Sequence, residues 1–284
     1  MSIKLSYSSD IPVNYTNVNS GLCYNVLLCV ILLSGCITKS DHQTAHRQEG
    51  CHNFISSYGA IIRGDSGCRQ IALVFTADSF GDGGDVILQT LEERDIRASF
   101  FLTGNFYRNS DFRQLIRELK KRNHYLGAHS DRHLLYCSWN NRDSLLVSRD
   151  SFALDLLNNY TGMSRFGISK EDAPFYLPPF EWYNDSISAW TEEMGMHLVN
   201  NTPGTMSHTD YTTPVMSAYR SSQEIYSDIL DFEQINPTGL NGFILLLHLG
   251  TDPARKDKLY HRLDDLVSYL INQGYSFVRI DELL

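Results

Sequence analysis

The stretch Tyr125-Leu126-Gly127-Ala128-His129-Ser130-Asp131-Arg132-His133 joins a short apolar run to two imidazoles four positions apart. A continuous apolar run of that length is expected of a strand covered on both faces. The polar residues that follow then stand at the C-terminal end of that strand. With 10 histidines in 284 residues the pair alone is weak evidence, because two solvated histidines on a turn look the same in sequence. The neighbouring stretches decide between the two readings.

Toward the N-terminus, Ile71-Ala72-Leu73-Val74-Phe75 reads as a strand and residues 85–94 as a helix with Ile87, Leu88 and Leu91 inward. Ala98-Ser99-Phe100-Phe101-Leu102 is a second strand, and residues 111–122 form a helix burying Phe112, Leu115, Ile116 and Leu119. Toward the C-terminus, residues 144–160 read as a helix, and Phe175-Tyr176-Leu177 as a strand stopped by Pro178-Pro179. A helix over 185–194, the strand His197-Leu198-Val199 and a helix over 221–233 follow, the last opened by a Ser221/Glu224 capping box. Phe243 to Leu247 is the most apolar strand, residues 256–273 form a helix ended by Gly274, and residues 276–280 close the set. Strands alternating with helices predict an α/β fold, a distorted (β/α) barrel of about seven parallel strands. Catalytic residues of such barrels sit at the C-terminal strand ends. Asp78, His129, Pro178-Pro179 and His248 all fall there, which turns the histidine pair from a surface turn into a candidate metal site.

The net charge of -9 argues against a nucleic-acid partner, which would call for a basic excess. With 42% hydrophobic and 20% charged residues the chain has no disorder signature. Val26 to Leu33 is an uninterrupted apolar run, too short for a bilayer and suited to the core of an export signal. It runs into Leu33-Ser34-Gly35-Cys36, which resembles the lipobox of bacterial lipoproteins, where the cysteine becomes the lipidated first residue. The expected organisation is a lipoprotein signal over 1–36, a polar tether over 37–66 and one catalytic domain over 67–284. The resulting location is exported and lipid-anchored to a bacterial membrane, with no other membrane contact. Export permits a disulfide among Cys51, Cys68 and Cys137; Cys51 with Cys68 is the first choice, and the sequence leaves all three pairs open.

From Gln70 to Leu284 the chain resembles the polysaccharide deacetylase family, metal-dependent enzymes that remove acetyl groups from sugar polymers. Ala98-Ser99-Phe100-Phe101, His129-Ser130-Asp131-Arg132-His133 and Leu245-Leu246-Leu247-His248 carry the resemblance. Two motifs depart from it. Where the family has Thr-Phe-Asp-Asp-Gly, this chain has Thr76-Ala77-Asp78-Ser79. The resemblance makes Asp78 a metal ligand, with Asp82 as the fallback, and puts Ala77 where the family has its base. Phe175-Tyr176-Leu177-Pro178-Pro179-Phe180-Glu181 has Leu177 in place of an Arg that holds that base, and Glu181 in place of a Gly. Losing both members of a buried charged pair makes physical sense, because one alone would be an uncompensated charge.

The resemblance implies a divalent metal, zinc as the expected ion, on Asp78, His129 and His133, leaving positions open for water and substrate. His248 is the expected general acid and Glu181 the candidate replacement base or extra ligand. Phe180 and Trp182, with Trp139 and Tyr183, are candidate sugar-stacking residues, and Leu246 a candidate wall for the acetyl methyl; core packing is the competing role for each. His208 and Asp210, in the polar segment 201–213, match no motif and receive no role. The expected partner is an acetylated carbohydrate. The alternative is a non-catalytic carbohydrate-binding protein on the same barrel, favoured by loss of the base.

Overall fold

The computed structural model describes residues 53–284; the leader, the lipobox with Cys36, and Cys51 lie outside them. In chain order the elements are β1 (Ile55–Ser57), β2 (Ala60–Arg63), β3 (Gln70–Ala77), α1 (Gly84–Glu93), β4 (Ser99–Leu102), α2 (Gly104–Arg108), α3 (Arg113–Lys121) and β5 (Tyr125–Ala128). They continue with α4 (Arg149–Ser164), β6 (Phe175–Tyr176), α5 (Asp185–Glu193), β7 (His197–Leu198), α6 (Ser222–Ile235), β8 (Phe243–His248), α7 (Leu263–Asn272), β9 (Ser276–Val278) and α8 (Ile280–Leu283).

The strands form one mixed sheet in the order β1-β2-β8-β3-β4-β5-β6-β7, with β9 beside the start of β3. Every pairing among β3 to β9 is parallel; β1 and β2 are antiparallel. The sheet curls until Val199, just past β7, bridges Ile61 of β2, so its two ends meet. This is the expected (β/α) barrel, distorted by its antiparallel edge. At its centre Ile71, Ala72, Leu73, Val74 and Phe75 are fully buried, as a strand between barrel interior and helix layer must be. Removing a large apolar side chain from this layer costs about 2–5 kcal/mol.

Register aligns the strand ends. Thr76 pairs with His248, Ala77 with Leu102, Leu102 with Ala128 and Ala128 with Tyr176. Asp78, Thr103, His129, Leu177 and His248 therefore share one rim.

Some boundaries differ from the sequence expectation. Residues 55–63, placed in the tether, form the β1–β2 hairpin, turned by Tyr58 and Gly59 at positive φ. Helix α4 starts at Arg149, not 144, because Leu145 is drawn into a bridge with Cys137 and Ser148 caps the helix by accepting from the Ser151 N–H. The last long helix starts at Leu263, after a 3-10 turn over Leu259–Arg262. The short α2, capped by Thr103, carried no periodic signal. The Ser221/Glu224 capping box forms as expected. Cys68 is disulfide-bonded and Cys137 is a buried free thiol, which removes Cys137 from the candidate pairs. Among the described residues no helix is long and apolar enough to cross a membrane.

Candidate active site

The rim carries two groups of polar side chains. The first is Asp78, His129 and His133. Asp78 follows β3, and its carboxylate accepts from Ser79 Oγ (2.8 Å), Thr103 Oγ1 (2.9 Å) and Asn105 Nδ2 (3.1 Å). Burial would raise its pKa, but these three donors and the nearby His133 hold it below the ordinary value. His129 follows β5 and is almost fully buried. Its Nδ1 lies 2.8 Å from the Leu177 carbonyl, which can only accept, so Nδ1 carries the proton and Nε2 keeps a free lone pair. The rings of His129 and His133 lie 5.1 Å apart. Desolvation is the leading cause that keeps both imidazoles below the usual histidine pKa, hence neutral.

Two neutral imidazoles and an ionised carboxylate are the donor chemistry of a catalytic divalent site, and a backbone carbonyl behind one histidine is its usual support. As they stand, no three His, Cys, Asp or Glu side chains among the described residues are drawn together closely enough to hold an ion. Both oxygens of Asp78 are instead engaged by its three donors. Asp82, the fallback ligand, is fully occupied elsewhere. It accepts from Tyr260 Oη (2.8 Å) and the Thr251 N–H (2.9 Å) and pairs with Lys258 Nζ (3.0 Å), clasping the loop before α1 to the loop after β8.

The second group is Glu181, Asp210 and His248. His248 ends β8, and Asp210 sits in a 3-10 turn over Ser207–Tyr211. Asp210 is buried, and its carboxylate accepts from His248 Nδ1 (2.6 Å) and from the His248 N–H (3.0 Å). Burial pulls the His248 pKa down, but Asp210 and then Glu181 outweigh it and leave it raised. Desolvation pushes the Glu181 carboxyl up to about 7, with His248 opposing and Asp210 reinforcing the rise. Phe180 and Glu181 both adopt left-handed backbone conformations, φ +61° and +53°. Two successive non-glycine residues in that region are costly, and such strain concentrates at functional sites. Asn200 steadies the turn by donating to the Glu181 carbonyl (3.0 Å).

The aromatic candidates separate. Phe180 is 37% exposed and stands edge-on to His133 at 4.4 Å. Trp139, 39% exposed, packs edge-on to Phe180. Trp182 is a poorer stacking surface than expected, since the Arg142 guanidinium covers its ring at 3.7 Å and its indole N–H is directed at the Ser138 carbonyl. Tyr183 is buried with its hydroxyl on the Ser57 carbonyl. Leu246 is fully buried one layer below His248 and opposite Val74, so it packs the barrel and presents no open wall. A cleft of about 790 Å³ opens beside the loop after β3, lined by Phe80, Asp82, Asp111, Phe112 and Lys256 among others. That volume lies within the range of small-molecule sites.

Sequence reasoning missed Asp210 as the partner of His248. The only signal was an unexplained acid in a polar segment, and nothing in the spacing linked it to a residue 38 positions on. The supports of Asp78, Thr103 and Asn105, were equally invisible.

A polysaccharide deacetylase family model matches residues 63–199, from β2 to just past β7, so Asp210 and His248 lie beyond the matched segment. The peptidoglycan-N-acetylmuramic acid deacetylase of Bacillus subtilis is 24% identical over 245 residues, covering 86% of this chain and 82% of the relative. Among solved structures, a Bacillus anthracis pseudoenzyme of carbohydrate esterase family 4 superposes with a TM-score of 0.61 at 18% identity, covering 80% of this chain and 69% of its own. A Clostridium thermocellum acetyl xylan esterase holding a cobalt ion gives 0.59 at 17%, covering 75% and 89%. At these identities the structural likeness carries the fold and nothing finer. Taken with the shared strand-end motifs, the match over residues 63–199 supports reading this chain as a divergent polysaccharide deacetylase family member.

Proposed function

We propose that this protein is a metal-dependent hydrolase that removes N- or O-linked acetyl groups from a carbohydrate polymer or oligosaccharide. The observation that carries the reading is the Asp210–His248 hydrogen bond facing a carboxyl, Glu181, held near neutrality. Asp78, His129 and His133 would hold the divalent ion, with zinc the first choice. Bound there, it would polarise the acetyl carbonyl and acidify a water molecule.

The chain's own residues supply the proton transfers. Glu181, ionised above about pH 7, accepts a proton from the attacking water and stands in for the family base that Ala77 replaces. As the carbon–nitrogen or carbon–oxygen bond of the acetyl group breaks, His248 gives its proton to the departing sugar nitrogen or oxygen, and acetate leaves. A base and an acid with pKa values around the working pH are what general acid–base catalysis requires. Asp210 fixes the His248 tautomer and favours its protonated form. Phe180 and Trp139 flank the site and offer a sugar ring an apolar face.

The test is acetate release from acetylated chitooligosaccharide, peptidoglycan and acetylated xylan. Turnover by the wild type and its loss in Glu181→Gln and His248→Ala support the reading; unchanged turnover in both variants overturns it. A second reading, a non-catalytic carbohydrate-binding protein, is favoured by Ala77. It is supported if glycan binds with no acetate release. For location, we propose export and lipid attachment at Cys36, checked by metabolic labelling of the wild type and Cys36→Ala.

A further inference from the structure

The conformation that presents His129 and His133 is held from behind by one buried acid that belongs to neither catalytic group. Asp155 lies on the inner face of α4 and is 5% exposed. Its Oδ2 accepts from Ser130 Oγ (2.6 Å), the Asp131 N–H (3.2 Å) and Tyr136 Oη (2.9 Å). Its Oδ1 accepts from the Arg132 N–H (3.2 Å). One turn later on the same helix face, the fully buried Asn159 accepts the His129 N–H at its Oδ1 (2.8 Å) and donates from Nδ2 to the Leu102 carbonyl (3.2 Å). Two side chains four residues apart thus take up every residue from His129 to Arg132 by an N–H or hydroxyl.

That loop needs such a grip. Ser130 and His133 both sit at positive φ, +71° and +55°, where a residue with a Cβ is strained and persists only if its surroundings over-determine it. The Ser130 hydroxyl, fixed by Asp155, also accepts the Leu134 N–H (3.3 Å), which tightens the turn around His133. A carboxylate that ends four donors is a strong organiser in a buried setting, because every donor it loses is left unpaired.

We propose that Asp155 is a positioning residue that sets the orientation of His129 and His133; its effect on chemistry rests on the role proposed above for those histidines. It does not touch substrate. Its influence passes through the backbone of residues 129–133.

The experiment compares the wild type with Asp155→Asn, Asp155→Ala and Tyr136→Phe, all assayed below their unfolding temperatures. The readouts are zinc affinity by calorimetry, kcat and KM on an acetylated glycan, and a crystal structure of each variant. Asp155→Asn is isosteric and is expected to fold. Its zinc affinity and its kcat should each fall about 10- to 100-fold, the usual cost of removing a support behind a metal ligand, with KM little changed. Tyr136→Phe leaves three of the four donors and should stay within about threefold of wild type. In the crystal of Asp155→Ala, or of Asp155→Asn if the former does not fold, Ser130 or His133 should have left positive φ. Wild-type zinc affinity and turnover in the Asp155 variants, with the loop unmoved, overturn the proposal. If the wild type itself binds no zinc and releases no acetate, the proposed function fails, and the loop conformation alone decides whether Asp155 positions it.

Discussion

Asp210 holds His248 at two points, one carboxylate oxygen 2.6 Å from the ring Nδ1 and the other 3.0 Å from the backbone N–H. The double contact fixes both the tautomer and the direction of the ring, leaving Nε2 as the atom that can give or take a proton. Asp210→Asn keeps the shape and removes the charge that raises the His248 pKa. We expect kcat/KM to fall by about 10²–10⁴, the range for a misdirected general acid or base. The alkaline limb of the pH profile should also move to lower pH, because His248 then loses its proton sooner. An unchanged profile would mean that His248 is not the acid.

The wild-type profile follows from the same two groups. Glu181 acts only when ionised, so activity should rise with pH through about 7. His248 acts only when protonated, so activity should fall again above its raised pKa. Steady-state rates across the range in which the protein stays folded give the bell. Glu181→Gln should abolish the acidic limb along with most of the rate; a limb that survives belongs to another group.

Glu181 stands at φ +53°, a conformation natural to glycine, where the family pattern has glycine. Keeping Glu there costs backbone energy, and a residue held against that cost is better explained by use than by accident. Glu181→Gly should raise stability by about 1 kcal/mol while removing activity. The gain should depend on pH. Folding raises the Glu181 pKa from its usual value to about 7, so the folded state favours the protonated carboxyl. Wild-type stability therefore drops as pH rises from the usual glutamate range through about 7, and the advantage of Glu181→Gly is larger at pH 8 than at pH 5. Urea melts at the two pH values measure it. A glycine variant that is less stable at both would show that Glu181 is held by contacts, not strain.

The parts of this fold that were legible in the sequence are those in which one pattern has one cause. The run Ile71 to Phe75 is apolar because both its faces are covered, and it reads as a strand for that reason. His129 could be placed at a strand end because polarity begins abruptly after Ala128. Helix α4 was legible as a helix but not in its bounds, because its inner face carries Asp155 and Asn159 while Leu154 and Leu157 are more than half exposed, and the Leu145 bridge and Ser148 cap that set its start leave no periodic signal. Those same two polar residues grip the histidine loop. A buried acid with four donors looks like a surface acid in sequence, since the donors come from residues 130–136, well before it in the chain. Asp210 was opaque for the same reason. The β1–β2 hairpin is too short to show a period, with β1 mostly polar, and its pairing with β8 and Val199 makes it part of the barrel.

Ala77 and Leu177 test whether the lost base was removed alone or as a pair. Ala77 is 4% exposed at the end of β3, and its carbonyl accepts the Thr103 N–H (3.0 Å). Leu177 is fully buried, and its carbonyl receives His129 Nδ1. Ala77→Asp alone places a carboxylate in that rim with no cation to meet it, and Leu177→Arg alone does the converse. Each single change should destabilise the fold by about 3–5 kcal/mol, the cost of an unpaired buried charge. The double variant should recover part of that loss, a coupling of about 0.5–3 kcal/mol in a double-mutant cycle read by urea unfolding. The double variant should also show acetate release that no longer needs Glu181, so that adding Glu181→Gln to it leaves the rate in place. If Ala77→Asp alone is as stable as wild type, a cation other than a residue at 177 already faces that position, and the paired loss is not the reason for the altered motifs.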